Sequence, residues 1–225
     1  MIIKISQTAS NVKQSFDVES DNYYCKAEAG SFSSMQGISL AGKDTDVRGT
    51  AAIFNYRECF PFGNTFGKAV FSKAFLLYRG EEIYGSIVSV TKAPFKSFYA
   101  VTLYSGEVLY CHCRAKGSFN YVSIYHKDKQ IALVETFLSV TDCKYIHKLY
   151  LLDEYNSMAD TLSLFVVYYS SHKFSQRFHM SKGSSHTKAW TFSVYNNKYD
   201  PHWRETNFPN ENYFGRILDI QSEGK

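Results

Sequence analysis

The stretch "DEYNSMADTLSLFVVYYSSHKF", residues 153–174, decides the fold. Its apolar side chains recur at the spacing of one helical stripe, at Tyr155, Met158, Ala159, Leu162, Phe165, Val166 and Tyr169. Leu164, Val167 and Tyr168 extend the apolar surface beyond that stripe, so we expect the C-terminal half of the helix to be buried on almost every side. Acidic residues at the start and basic residues at the end complement the helix dipole.

Two other interpretations of the same stretch must be weighed. The run "LSLFVVYY" is rich in β-branched and aromatic residues, so a buried strand is the main alternative to a helix. A membrane span is not expected, because Asp160 and the serines at 170 and 171 bound an apolar run of fewer than about ten residues. The stretch therefore predicts one helix that needs an apolar enclosure.

The chain before this helix is typical of a meander of β-strands. Aromatic residues make up 17% of the sequence, and such residues favour the half-buried surface of a sheet. Strands are predicted at Ile2–Ile5, Tyr23–Ala29, Ile38–Leu40, Thr50–Tyr56, Ile83–Val90, Phe98–Tyr104, Val108–Arg114, Tyr121–Tyr125, Ile131–Leu138 and Tyr145–Leu151. The short polar connections "YSGE" (Tyr104–Glu107) and "HKDKQ" (His126–Gln130) indicate tight turns between antiparallel neighbours.

Two stretches of this meander share a pattern. "YCKAEAGSF" begins at Tyr24 and "YCHCRAKGSF" begins at Tyr110, and one inserted residue brings them into register. Either a duplicated β-meander or a shared strand-turn-strand solution explains the similarity.

The order of these elements resembles the tubby-like fold. The resemblance is carried by "FYAVTLYSGEVLYCHCRAKGSFNYVSIYHKDKQIALVET", then "KYIHKLYLLDEY" and "ADTLSLFVVYY", and it is closest to the LURP-one-like and bacterial members. It implies an antiparallel closed barrel of about twelve strands, over residues 1–174, around a central apolar helix at 153–174. The family includes tubby proteins, which bind membrane phosphoinositides through basic side chains, and that basic site cannot be matched in this sequence. It also includes phospholipid scramblases, whose palmitoylated cysteines and calcium-binding stretch cannot be matched here either.

The chain departs from the family after the helix, which in the family lies close to the C-terminus. Residues 175–225 follow it here, first as a polar linker and then as aromatics spaced by polar residues. The aromatic side chains are Trp190, Phe192, Tyr195, Tyr199, Trp203, Phe208, Tyr213 and Phe214. We expect this extension to pack back on the barrel, since so much apolar surface is unfavourable in water.

The net charge bears on the class of binding partner, and the cysteines bear on the cellular compartment. The net charge of +4 suits an anionic membrane surface and falls well short of a nucleic-acid footprint. Five cysteines without a regular framework indicate reduced thiols in a cytoplasmic protein, with an extracellular protein carrying a spare thiol as the alternative. No secretory signal and no transmembrane segment are expected.

Candidate chemistry in the sequence is sparse. Cys111, His112 and Cys113 suggest a metal site, but strand alternation would put His112 on the opposite face from the two thiols, so we predict no metal and no cofactor. "GKDTD", residues 42–46, lacks the spacing of a phosphate loop and predicts a hairpin turn. No "GxSxG" elbow is present, and no catalytic residue is assigned.

Basic turns are the one feature with a plausible binding use. Lys92 and Lys96 bracket the "APF" turn, and Lys127 and Lys129 lie in the turn before Ile131. If these turns share one barrel rim, their lysines can bind lipid headgroups, with ordinary solvated turn lysines as the alternative.

The sequence therefore predicts a non-catalytic, tubby-like module that acts at a membrane surface as a lipid- or phosphoinositide-binding domain, or as a scaffold for a protein partner. One alternative is a barrel with an open apolar cavity for a small ligand, in which residues 153–174 pack outside. The other is an enzyme of unrecognised type that uses Cys111 or Cys113.

Overall fold

Twelve strands and three short helical segments make up the described part of the chain. The computed structural model describes residues 1–10, 13–21, 23–30, 37–43, 45–55, 71–92, 96–116, 119–139, 144–174, 200 and 202–211. The strands are β1 (Ile2–Ser10), β2 (Lys13–Ser20), β3 (Tyr23–Gly30), β4 (Gly37–Gly42), β5 (Asp46–Asn55), β6 (Phe71–Arg79), β7 (Glu82–Lys92), β8 (Lys96–Leu103), β9 (Val108–Lys116), β10 (Phe119–His126), β11 (Lys129–Leu138) and β12 (Tyr145–Leu151). A 3-10 helix (Asp153–Met158), α1 (Ala159–Phe174) and α2 (Trp203–Asn207) follow.

The strands form one closed antiparallel barrel. Each strand pairs with its neighbours in sequence, and β1 pairs with β12 to close the wall, with Ile2 opposite Tyr150 and Ile5 opposite His147. Closure leaves no strand with an unpaired edge, which is how a sheet of this size avoids association through its edges. The predicted mainly-β, closed-barrel fold is confirmed.

The helix α1 lies inside the barrel, as the all-round apolar pattern predicted. All ten side chains from 161 to 170 are buried, so no side of this part of the helix faces solvent. Its apolar residues belong to one cluster with inward-facing side chains from every strand, including Phe16, Phe75 and Val122. The strand alternative for "LSLFVVYY" is therefore wrong. The open-cavity alternative also loses its premise, because α1 is not packed outside.

The helix predicted at 153–174 is not continuous, because its first six residues form a 3-10 helix and α1 begins only at Ala159. This 3-10 helix, residues 153–158, precedes α1 and is kinked at Tyr155, which has non-helical dihedral angles (φ −110°, ψ 16°). The acidic first turn and the stripe position of Met158, which is buried, agree with the expectation. Among the described helices, none has both the length and the apolar character needed to cross a bilayer.

Part of the C-terminal extension packs on the outer face of β10 to β12. Trp203 and Phe208 contact an outer-wall cluster of Tyr121, Leu133 and Tyr150, with 5.4 Å between the ring centroids of Phe208 and Tyr150. This agrees with the predicted packing of the aromatic extension. The other six aromatic residues named for it, Trp190, Phe192, Tyr195, Tyr199, Tyr213 and Phe214, lie outside the described residues.

Truncation of one helix side chain tests this packing. Phe165 is fully buried between the helix and the wall, with its ring 5.9 Å from that of Tyr99. We expect Phe165→Ala to lower the free energy of unfolding by about 3–5 kcal/mol, since the cavity cannot close around a fixed barrel. Denaturant unfolding measures this. Tyr24→Ala, at a side chain that is 56% exposed, is the control and should cost less than about 1 kcal/mol. Equal costs for the two variants would contradict a central helix.

Candidate functional site

The two ends of the barrel differ in charge. Because successive strands are antiparallel, successive connections alternate between the ends. One end holds the connections that follow β1, β3, β5, β7, β9 and β11, together with the C-terminus of α1. The other end holds the remaining connections and the 3-10 helix. We call these the basic end and the acidic end for the residues described next.

The basic end carries five lysines at or directly beside the ends of its strands, in addition to Lys173 near the C-terminus of α1. The five are Lys13, Lys92, Lys96 and Lys116, each a terminal residue of its strand, and Lys144, which directly precedes β12. Within the described residues, no carboxylate occurs in the two terminal positions that each strand has at this end, whether the strand begins or ends there. Lys92 and Lys96 are opposite each other in the antiparallel register of β7 and β8, at the connection between these strands. The backbone therefore places a set of basic residues around one end of the barrel.

The acidic end has the opposite composition. Its strand termini and turns carry nine carboxylates and four basic residues in the described ranges. The carboxylates are Glu19, Asp21, Asp46, Glu81, Glu82, Glu107, Asp128, Asp153 and Glu154, and the basic residues are Lys43, Arg79, Lys127 and Lys129. A surface of this composition repels anions at low ionic strength.

The four predicted lysines therefore do not share one rim. Lys127 and Lys129 lie in the β10–β11 connection at the acidic end, whereas Lys92 and Lys96 lie at the basic end. The expectation of a single basic rim is wrong, because three strands separate the two turns and an odd number of antiparallel strands exchanges the ends.

Lys127 and Lys129 have local structural roles. Lys127 adopts a left-handed conformation, with φ of 54°, inside the tight turn. Lys129 pairs with Glu154 of the 3-10 helix, and that hydrogen bond raises the pKa of Lys129. The pair joins the β10–β11 turn to the helical segment that covers this end of the barrel.

An open cleft of about 540 Å³ lies at the acidic end beside the start of α1. Its walls include Tyr23, Thr45, Arg79 and Asp160, and the Thr45 hydroxyl donates to the Asp160 carboxylate at 3.1 Å. Arg79 lies 3.8 Å from the same carboxylate. Thr45 belongs to the "GKDTD" stretch, which joins β4 to β5 as a hairpin connection, as predicted, with the Gly42 amide donating to the Thr45 carbonyl at 2.8 Å. The Asp160 carboxylate of the cleft is thus engaged by Thr45 and Arg79.

The cysteine stretch on β9 has the strand geometry that the sequence predicts. Cys111 is fully buried in the inner cluster and Cys113 packs against it, while His112 lies on the outer face between Phe98 and Tyr125. Burial raises the pKa of the Cys111 thiol well above its usual value. Among the described side chains, no group of three potential ligands is placed to hold a metal ion.

The echoing stretch on β3 occupies an equivalent place. Cys25 is also buried and points inward, and burial raises its pKa to about 11. Its strand, β3, is six positions away from β9 in a ring of twelve, so the two cysteine strands lie on opposite sides of α1. The arrangement is what a duplication of six strands would produce, and duplication stays a prediction.

A buried hydrogen-bond network around His147, inside the barrel, was not predicted from the sequence. His147 on β12 is fully buried; its Nδ1 lies 2.8 Å from the Thr136 hydroxyl and its Nε2 lies 2.9 Å from the Ser170 hydroxyl of α1. Both ring nitrogens are thus hydrogen-bonded, and the imidazole joins the wall to the central helix. Burial lowers the pKa of His147 to about 3, so the ring is neutral at physiological pH.

No protein-family model, no curated protein and no solved structure matches the chain.

The buried imidazole predicts a specific pH dependence. With a folded-state pKa near 3 and an unfolded value near 6.5, the unfolded state binds more protons between these limits, so stability is complete above about pH 6.5 and falls as the pH drops. We expect His147 to contribute a loss of about 2 kcal/mol between pH 7 and pH 5. Denaturant unfolding of wild type and His147→Asn at both pH values measures this. The variant should be less stable at pH 7 but lose about 2 kcal/mol less on acidification, and parallel pH profiles would contradict the assignment.

Proposed function

We propose that this chain is a non-catalytic, tubby-like module that docks on anionic membrane surfaces through the basic end of its barrel. The observation that carries the proposal is the separation of charge between the two ends. Five lysines lie at or beside the strand ends of one end, and nine carboxylates with four basic residues lie at the other.

The charge separation gives the docking a direction. Each lysine close to a membrane with anionic lipids contributes about 1 kcal/mol, so several at one end are enough for measurable attraction. The carboxylates of the opposite end disfavour the reversed orientation. The two lysines of the β7–β8 connection, Lys92 and Lys96, remain proposed headgroup contacts, while Lys127 and Lys129 no longer belong to the proposed site.

The tubby-like assignment is supported by architecture. A barrel of twelve antiparallel strands around one buried apolar helix is what the sequence resemblance implied. Two features support a role without catalysis. The interior is occupied by α1, and the Cys111 thiol, one of the two nucleophiles considered, is buried in its protonated form.

Flotation of vesicles tests the proposal. The full chain is mixed with phosphatidylcholine vesicles that contain none or about a third phosphatidylserine, at low salt and at 0.15 M salt. We expect binding only to the anionic vesicles, and weaker binding at the higher salt because exposed charges are screened. Lys92→Glu with Lys96→Glu should weaken binding by roughly 30-fold or more, which corresponds to about 2 kcal/mol for two lysines.

The acidic end supplies the matched control. Lys127→Glu with Lys129→Glu makes the same change in net charge, but at the other end of the barrel, and should leave binding almost unchanged. Absence of wild-type binding at low salt would overturn the proposal. Equal losses for the two double variants would show that net charge, and not the basic end, is responsible.

A further inference from the structure

The outer face of β10 to β12 holds a buried carboxylate in an apolar groove. Glu135 is 5% exposed and accepts a hydrogen bond from the Tyr150 hydroxyl at 3.1 Å. Tyr121, Leu133 and Tyr150, which are at most 2% exposed, form the apolar floor beside it. We call these four residues the arginine groove.

A short segment of the same chain fills the groove, with an arginine at its centre. Arg204 of α2 is 4% exposed, and its Nε lies 3.5 Å from the Glu135 carboxylate. Its guanidinium carbon lies 5.9 Å from the centroid of the Tyr150 ring. Trp203 and Phe208 pack on the apolar floor, and both charged side chains of the pair are almost completely buried.

Glu211, at the end of the segment, makes two further contacts that hold it to the rest of the chain. The Arg204 Nη1 donates to the Glu211 carbonyl at 2.9 Å, and the Glu211 carboxylate pairs with Lys148 of β12 at 2.8 Å. One side chain, Arg204, thus both binds the groove and holds the curvature of the segment that carries it.

The groove selects for a cation flanked by aromatic groups. A buried carboxylate without a cation is costly, and removal of one partner from a buried pair is far more damaging than loss of a surface pair. Burial raises the pKa of Glu135 and Arg204 acts against that rise, which agrees with a carboxylate that depends on its cation. An apolar peptide would fill the floor but leave the Glu135 carboxylate without the cation that Arg204 supplies.

The segment is built to leave the groove without unfolding the barrel. α2 has only five residues, far fewer than an isolated helix needs for stability. Most side chains of the segment are exposed, namely His202, Glu205, Thr206, Asn207, Pro209 and Asn210. The ladders of β10, β11 and β12 pair with strands alone and use none of residues 202–211.

We propose that the arginine groove is a peptide-docking site, occupied in cis by residues 202–211 and open to a partner protein segment of the pattern Trp-Arg-x-x-x-Phe. A tethered segment has an effective concentration on the order of millimolar. A partner of equal intrinsic affinity at about 10 µM therefore occupies about one groove in a hundred, and occupancy rises when the cis segment is weakened.

A labelled peptide in trans tests the site on the full chain. The probe is a fluorescent peptide with the sequence of residues 200–211, and fluorescence anisotropy measures its binding. We expect it to bind the Arg204→Ala chain at least tenfold more tightly than wild type, because the weakened cis segment vacates the groove. The Glu205→Gln chain changes an exposed charge on the same helix and should behave like wild type. Glu135→Gln added to the Arg204→Ala chain should abolish this gain, as should alanine in place of the peptide's own arginine.

Hydrogen exchange of the wild-type chain gives an independent reading. The amides of Thr206 and Phe208, which donate to the carbonyls of His202 and Arg204, should exchange at least tenfold faster than the amides of β11 that pair with β12. Exchange at the same rate as β11 would overturn the proposal, since the segment would then open only with the barrel. Peptide binding to Arg204→Ala that is no tighter than to wild type would overturn it as well.

Discussion

Burial of an all-round apolar helix is the constraint on which the structure depends. A helix with one apolar stripe can lie on the surface of a sheet, but α1 has no polar side to present to water over residues 161–170. Each large apolar side chain buried there contributes roughly 1.5–3 kcal/mol, and the enclosing barrel wall buries them all. The wall in turn needs the helix, because a barrel of twelve strands without a filling would leave its inner apolar face uncovered.

The sequence was sufficient for most of this architecture. Ten strands and the helix were located from their own residues, whereas β2 and β6 were not. In β2, Phe16 and Val18 are the only large apolar residues in an otherwise polar strand, so its local apolar density is low although both residues are buried. The start of β6 follows residues 56–70, in which phenylalanines are interspersed with proline and glycines, so the apolar residues alone do not mark where the strand begins. The count of about twelve came from the resemblance to a family and not from these segments.

The sites were less predictable, for two physical reasons. The two lysine turns were assigned to one rim although the predicted strands between them already numbered three, and this odd number places them at opposite ends. The second reason is that contacts between residues far apart in the chain leave no pattern in the local sequence. Glu135 and Arg204 belong to different segments, as do His147 and Ser170, and neither pair has a local motif. The one local hint was a carboxylate inside the apolar run "IALVETFL", where a charge is costly unless a partner covers it.

The position of α1 after the last strand has a consequence for how the chain reaches its fold. The wall closes only when β12 pairs with β1, and the filling for the wall follows β12 in the chain. On the ribosome, eleven strands emerge before either closure or filling is available, with their inner apolar side chains uncovered. Such long-range pairing makes folding slow, and partly formed sheets of this kind are prone to association. The same helix that stabilises the finished barrel therefore makes its completion the late, committing step of synthesis.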